Sequence, residues 1–290
     1  MLLSPAQLKK LDAVSLHARK AFTGASRGEK RSVKRGSSVE FADFRSYNAG
    51  DDIRRIDWNA YARFDKLYLK MFLEEEDLDL TLLIDASASM QFGDPPKLRA
   101  ASQIAGALGY IGLSNFDRVS ASFFGETLRG GFPPSRGKAA TGRLFRFLEA
   151  GEPSGKADFP LVCKRLALQA KRSGIAVVVS DFLFAEGYET GLKTLAARGF
   201  ETTVVQLLSR EELEPTLTGD FKLVDVEDRT VREVSVSASL LRAYKKNLDD
   251  YTTNLRKFCL RYGMNYVLAP GDTPAEDVVG RMMRASGVVR

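Results

Sequence analysis

Three residues with carboxylate or hydroxyl side chains stand at alternate positions after an apolar run. Asp85, Ser87 and Ser89 follow the mostly apolar residues 78–84. Alternate residues of an extended loop can point the same way, so three oxygens can converge on one point. Oxygen ligands of this kind suit Mg²⁺ or Mn²⁺, with water molecules completing an octahedron. The spacing therefore predicts a divalent-cation site.

A second carboxylate, Asp181, has a similar setting. It ends another apolar run, residues 175–180, as Asp85 ends the first. In open α/β sheets, ligands bind at the carboxyl ends of the strands, so we expect Asp181 and Asp85 to lie at one edge. The competing interpretation is a capped helix start without an ion, because Asp and Ser are common in caps and turns.

The elements that must position these residues alternate between strands and helices. Buried strands are predicted at 78–85, 118–124, 175–181, 202–208 and 265–269, with a hairpin at 221–236. Helices are predicted at 138–149, 158–172, 187–198 and 275–286, besides one around Leu98–Gly112 and a long one whose apolar stripe runs from Leu241 to Tyr262. This alternation predicts an α/β fold with a doubly wound, mostly parallel sheet.

Two shorter segments precede this alternation. Ser4 and Pro5 suit the cap and first turn of an amphipathic helix over about 5–22, and residues 23–38 read as a basic linker. Short β-like pieces follow, including a strand at 66–72. We therefore expect a basic helix and linker over 1–35, a small β-rich module over 36–78 and the α/β domain over 79–290.

The charge excess is confined to the N-terminal segment. The chain has 43 Lys and Arg residues against 37 Asp and Glu, and residues 1–35 contain nine of the basic residues but two of the acidic ones. The nearly neutral remainder argues against a nucleic-acid-binding surface across the whole molecule. Binding of nucleic acid or another anionic surface by the N-terminal arm stays open as an alternative.

The sequence offers few residues for other kinds of catalytic site. His17 is the single histidine, which argues against a His-based metal cluster and a Ser-His-Asp triad. Cys163 and Cys259 lie far apart on predicted helices, which favours buried thiols in a reducing compartment. No apolar run is long enough to span a bilayer and no signal-peptide pattern is present, so we expect the protein in the cytoplasm.

Two further segments invite an enzymatic interpretation. Gly131–Lys138 contains the glycines and lysine of a phosphate loop, but its spacing is wrong and Ala139 stands where Ser or Thr must bind Mg²⁺. The segment 51–63 intersperses carboxylates with arginines, and paired carboxylates make poor general bases. We predict a structural ion-pair network there, with Trp58 as its apolar anchor. Its members are Asp51, Asp52, Arg54, Arg55, Asp57 and Arg63.

The Asp85-x-Ser87-x-Ser89 spacing resembles the metal-ion-dependent adhesion site of von Willebrand factor A domains. Four further segments resemble a narrower group, the bacterial domain-of-unknown-function family that accompanies MoxR-type AAA+ ATPases and has a von Willebrand A-like half. These segments are Glu40–Tyr47, Gly50–Trp58 with Ala62 and Arg63, Val179–Phe182 and Leu223–Glu227. The resemblance covers most of residues 36–290.

This resemblance implies a set of metal ligands. Asp85, Ser87, Ser89 and Asp181 match ligand positions for Mg²⁺ or Mn²⁺, and an acidic side chain of a partner would complete the coordination shell. Von Willebrand A domains also supply a Thr from the loop before a middle helix, and the matching stretch 153–158 has no Thr. Ser154 or Asp158 would then take its place, or the site would no longer bind metal.

The resemblance also implies a partner and a role. The expected function is a non-enzymatic interaction module, without a small-molecule substrate, that serves a MoxR-type AAA+ ATPase as adaptor or co-chaperone. A remaining alternative is a metal-dependent phosphoester hydrolase built on Asp85, Asp181 and Asp158. The sequence shows neither the nucleophile nor the second metal site that such an enzyme normally needs.

Overall fold

The computed structural model describes residues 2–12, 39–48, 51, 53–74, 78–217, 219–224 and 230–282. They fall into two units, Met1–Lys20 together with Leu78–Arg290, and Ala21–Asp77. The domain boundaries expected from the sequence stay predictions.

The larger unit begins with helix α1, Pro5–Leu11. Gln7 N–H donates to Ser4 Oγ at 3.3 Å, and Ser4 N–H donates to Gln7 Oε1 at 2.8 Å. This capping box fixes the helix start that Ser4 and Pro5 predict. The side chains of Leu3 and Leu11 are buried in the core. The rest of the predicted helix and the basic linker, residues 13–38, lie outside the described residues.

The smaller unit contains two paired strands and a short helix. Strand β1, Val39–Ser46, runs antiparallel to β2, Tyr68–Glu74, and helix α2, Trp58–Phe64, lies between them in the chain. Asp57 caps α2 by accepting the N–H groups of Asn59 and Ala60. This arrangement agrees with the β-rich character expected for this segment.

The larger unit is built on a six-stranded sheet. The strands of this unit, six of which form the sheet, are β3 (Asp79–Asp85), β4 (Arg118–Phe124), β5 (Leu128–Ser135), β6 (Ile175–Ser180), β7 (Glu201–Leu208), β8 (Gly219–Val224), β9 (Val231–Val236) and β10 (Asn265–Pro270). The sheet order is β10-β7-β6-β3-β4-β5, while β8 and β9 pair as the predicted hairpin. Every neighbouring pair in the sheet is parallel except β4 and β5.

Helices cover both faces of the sheet. They are α3 (Lys97–Ser114), α4 (Thr141–Glu149), α5 (Phe159–Gln169), α6 (Glu189–Ala197), α7 (Arg210–Leu213), α8 (Ala238–Arg261) and α9 (Ala275–Asp277). Because strand side chains alternate between faces, Leu82 and Ile84 join a core cluster with α3, whereas Leu83 joins one with α5 and α6. The predicted doubly wound, mostly parallel α/β fold is confirmed.

Strand β5 was absent from the sequence-based prediction. Its residues include Gly130, Gly131, Pro133 and Pro134, a composition that is typical of a loop. The strand lies at the edge of the sheet and pairs with β4 through an irregular register. An edge position tolerates proline, because the missing N–H removes no bond from the sheet interior.

Helix α8 packs along only part of its predicted apolar stripe. Leu248 and Leu255 are buried, whereas Tyr244 and Tyr262 are about 40% exposed. The helix has 24 residues and is about 36 Å long, so it extends beyond the sheet strands of six to eight residues.

In the part of the chain that the structure describes, no helix combines the length and apolar character needed to cross a membrane.

Candidate functional site

Asp85 lies at the carboxyl end of the central strand β3 and is fully buried. Its Oδ1 accepts Ser87 N–H at 2.8 Å, and its Oδ2 accepts the Ser180 hydroxyl at 2.6 Å. Burial, followed by the nearby Asp181 carboxylate, raises the pKa of Asp85 to about 7, against the lowering effect of these hydrogen bonds. Both carboxylate oxygens of Asp85 thus accept hydrogen bonds from other groups of the protein.

The two serines of the motif connect Asp85 to Asp181. A 3₁₀ turn over Ala88–Gln91 brings the hydroxyls of Ser87 and Ser89 to 3.1 Å from each other. Ser89 Oγ donates to Asp181 Oδ2 at 3.0 Å. The four residues predicted at the two strand ends thus form one hydrogen-bonded group.

Asp181 follows β6, the neighbour of β3 in the sheet, which explains why it reaches the Asp85 loop. Its Oδ1 accepts Leu183 N–H at 3.0 Å, and its main-chain oxygen accepts Gln206 Nε2 at 3.1 Å. The next residue, Phe182, has a φ of 59° and a buried side chain. A bulky residue in the left-handed region costs about 1–3 kcal/mol and is most often found at functional sites.

A lysine that the sequence analysis did not select completes the group. Lys97, the first residue of α3, is 1% exposed. Its Nζ donates to Asp181 Oδ2 at 2.8 Å and to Glu212 Oε1 at 2.6 Å. Burial alone lowers the pKa of Lys97, but the charges of Asp181 and Glu212 outweigh it, so the pKa is raised. The ammonium is therefore held in its charged form.

These six side chains are called the carboxyl-edge cluster below. Its members are Asp85, Ser87, Ser89, Lys97, Asp181 and Glu212. A sequence signal for Lys97 exists: it precedes the buried Ala101 by four residues and Ile104 by seven, and so lies on the apolar face of α3. Lysine at the start of a helix usually faces solvent, so this spacing does not by itself predict that Lys97 is buried.

The loop expected to supply a further ligand lies beside the Asp85 loop. Ser154 N–H donates to Ala86 O at 2.9 Å, and Ala88 N–H donates to Gly155 O at 2.8 Å. Arg129 on β5 donates to Ser154 Oγ at 2.5 Å and to Ser154 O at 2.8 Å. Ser154 is thus held by an arginine rather than by a cluster member.

Asp158 is the last of the metal ligands predicted from the sequence. Its Oδ1 accepts Leu161 N–H at 2.9 Å and caps helix α5. The hydrogen bond that the structure gives this carboxylate therefore lies within its own helix, and the structure does not bring Asp158 into the carboxyl-edge cluster by hydrogen bonding.

The cluster has the donor chemistry for Mg²⁺ or Mn²⁺ but not the matching arrangement. Carboxylate and hydroxyl oxygens are the ligands these ions prefer. The Lys97 ammonium, however, already contacts Asp181 Oδ2, which also accepts the Ser89 hydroxyl. Among the described residues, no group of three or more His, Cys, Asp or Glu side chains is placed to hold a metal ion. As arranged, the residues do not fit a divalent ion, and the metal site stays a prediction.

The predicted ion-pair network lies in the smaller unit and is only partly described. Asp51 accepts a hydrogen bond from Arg45 Nη2 at 2.7 Å, a partner that the sequence analysis left out. Asp57 and Arg63 line one pocket of about 320 Å³. Arg54 and Arg55 lie in the 3₁₀ turn Ile53–Arg55, and Asp52 lies outside the described residues. The network therefore stays a prediction.

The expectation that Trp58 anchors this network was wrong. Its side chain is 61% exposed and lies edge-on to the ring of Tyr61. The two cysteines, by contrast, are buried as predicted. Burial raises the pKa of both thiols, to about 12 for Cys259, which leaves them protonated and unreactive at neutral pH. His17 lies outside the described residues.

A protein-family model matches residues 43–253, a span that includes the whole carboxyl-edge cluster, and its description is "Protein of unknown function DUF58". The chain belongs to this family. Membership confirms the resemblance to a domain-of-unknown-function family, whereas the association with a MoxR-type ATPase stays a prediction. An uncharacterized protein of Mycobacterium tuberculosis is 27% identical over 235 residues, which are 79% of this chain and 74% of that protein. An uncharacterized protein of Mycobacterium bovis matches to the same extent.

Solved structures resemble this chain more distantly than the mycobacterial proteins do. The conserved hypothetical protein BatB from Bacteroides thetaiotaomicron aligns with a TM-score of 0.44 and 14% identity, over 72% of this chain and 98% of that one. An aerotolerance-related membrane protein from Bacteroides fragilis aligns with the same score and identity, over 72% and 99%.

Proposed function

We propose that this chain is a non-enzymatic protein-interaction module of the cytoplasm, an adaptor or co-chaperone for a MoxR-type AAA+ ATPase. The observation that supports it is a fixed polar cluster with exposed apolar side chains beside it. Phe92, three residues after Ser89, is 48% exposed, and Leu183, two residues after Asp181, is 47% exposed. Exposed apolar side chains around a rigid site are typical of protein-binding surfaces. The class of partner is proposed from the family resemblance.

The cluster is poorly suited to the hydrolase alternative. Asp85 is fully buried and Asp181 is 2% exposed. All four of their carboxylate oxygens accept hydrogen bonds from other groups of the protein. A general base or nucleophile must reach its substrate, and these oxygens face inward.

Direct binding between purified proteins tests the proposal. The chain is titrated against a MoxR-type AAA+ ATPase from the same organism, with ATP or ADP present, and the Kd is measured by biolayer interferometry. We expect Leu183→Asp to weaken binding by about tenfold or more, because a charge would be buried in the interface.

Leu168→Asp is the matched control. Leu168 is a 77% exposed leucine on α5, so the same change there is expected to leave the Kd unaltered. Absence of binding by the unaltered chain contradicts the proposed partner. Equal binding by both variants contradicts the assignment of the carboxyl edge as the binding surface.

A further inference from the structure

The carboxyl-edge cluster contains a cation that belongs to the chain itself. Lys97 Nζ lies 2.8 Å from Asp181 Oδ2 and 2.6 Å from Glu212 Oε1, and the side chain is 1% exposed. We propose that the Lys97 ammonium takes the place of a divalent cation at this edge, so that the loops after β3 and β6 are held together without a bound metal ion. The proposal depends on the cluster geometry and not on the identity of the partner.

Asp181 is the residue that a metal ion would have to share with Lys97. Its Oδ1 accepts Leu183 N–H, and its Oδ2 accepts both the Ser89 hydroxyl and the ammonium. A divalent ion binds a carboxylate oxygen at about 2.1 Å, which would place two cations on one oxygen. Their repulsion in a buried setting is strong, so the ion and the ammonium exclude each other.

Glu212 supports the same assignment independently. Its Oε2 accepts Ser209 N–H at 2.7 Å, and Glu212 N–H donates to Ser209 Oγ at 3.1 Å, which forms a capping box at the start of α7. Tyr244 on α8 donates its hydroxyl to Glu212 O at 3.0 Å. Elements outside the Asp85 loop therefore fix Glu212, and its Oε1 is left to bind the ammonium.

The backbone before α3 brings Lys97 to this position. Gly93 has a φ of 99°, and a Cβ at that residue would lie 2.8 Å from Ser209 Cβ. Lys97 N–H donates to Phe92 O at 3.0 Å. Glycine permits both the conformation and the close approach. The segment before α3 therefore lies against the capping box that holds Glu212. This close approach of the backbone at Gly93 brings the Lys97 ammonium next to Glu212.

A Mn²⁺ titration tests the proposal, with the free ion measured by electron paramagnetic resonance. We expect the unaltered chain to leave the free-ion signal unchanged up to about 1 mM Mn²⁺. Lys97→Met frees Asp181 and Ser89 for a metal ion, so we expect it to bind Mn²⁺ at least about tenfold more tightly. Lys138→Met removes the ammonium of a lysine whose side chain is 57% exposed, and serves as the matched control that we expect to behave like the unaltered chain.

Two results of the titration overturn the proposal. One is binding of Mn²⁺ by the unaltered chain at a single site. The other is a folded Lys97→Met variant that leaves all Mn²⁺ free, because the ammonium then does not stand in for a metal ion.

A second measurement covers the case in which Lys97→Met does not fold. The unaltered chain is treated with acetic anhydride, with and without Mg²⁺, and its lysines are mapped by mass spectrometry. We expect Lys138 to be acetylated and Lys97 to stay unmodified under both conditions. Acetylation of Lys97 in the folded protein overturns the proposal.

Discussion

Lys97 illustrates how the charge of a single residue can be compensated inside a core. A lysine is almost never fully buried unless it is paired, and here two carboxylates are within hydrogen-bonding distance of its ammonium. The same ammonium neutralises part of the negative charge of Asp181 and Glu212. Loss of the ammonium would therefore leave the carboxylates of Asp181 and Glu212 without a counter-charge.

We expect Lys97→Met to lower the free energy of unfolding by about 3–5 kcal/mol, the usual effect of removing one partner from a buried ion pair. Urea denaturation at pH 7 measures it. Lys138→Met, at an exposed lysine paired with Asp12, is expected to change stability little, since solvent screens that pair. Equal losses in both variants would mean that Asp181 and Glu212 do not depend on Lys97.

Residue types and spacing were sufficient to predict Asp85, Ser87, Ser89 and Asp181 as neighbours. Each lies at or just after the carboxyl end of an apolar strand, and neighbouring parallel strands end at the same edge. Glu212 and Lys97 could not be selected in this way, because a lysine and a glutamate that lie 115 residues apart carry no local signal of their pairing. Their contact depends on how α3 and α7 pack.

At the scale of elements, the edge strand β5 supports the loop beside the cluster. Arg129 on β5 donates to Ser154 Oγ and Ser154 O, and lies 3.5 Å from Ala86 O. It therefore contacts both the loop 153–158 and the loop that follows Asp85. Neither the strand nor this function of Arg129 was predicted from the sequence, because glycine and proline obscure the alternating pattern of β5.

We expect Arg129→Ala to loosen the loop 153–158 without unfolding the sheet. Two hydrogen bonds from a charged donor are lost, each contributing about 1.5–3 kcal/mol. Hydrogen exchange should become at least about tenfold faster at Ser154 and Ala88, and stay unchanged in β3 and β6. Arg143→Ala, at an exposed position on α4, is the control. Unaltered exchange at Ser154 in the Arg129 variant contradicts this role.

At the scale of the whole molecule, the N-terminal segment contributes to the core that it precedes. Leu3 and Leu11 are buried with residues of α3. Lys10 lies 3.3 Å from Glu276, and Asp12 accepts hydrogen bonds from Tyr110 and Lys138. Of the nine basic residues within 1–35, Lys9 and Lys10 are described by the structure. Binding of anions by the others stays a prediction.

We expect Leu11→Ala to lower the free energy of unfolding by about 2–5 kcal/mol, because it removes a buried side chain and leaves a cavity. Thermal and urea denaturation measure this loss. Leu168→Ala is the control, since that leucine is 77% exposed and its truncation creates no cavity. A loss for Leu11→Ala no greater than that of the control would show that α1 is not part of the cooperative core.

The sequence by itself determined the alternation of strands and helices apart from the edge strand β5, the doubly wound sheet and the position of the Asp85 motif at a strand end. These features follow from hydrophobic periodicity and from residue types at element ends, which are local properties of the chain. Only the tertiary structure decided that Lys97 lies against Asp181 and Glu212, that Asp158 caps α5, and that Trp58 is exposed. The physical reason is that burial and pairing depend on which elements pack together, and residues distant in the chain supply those contacts.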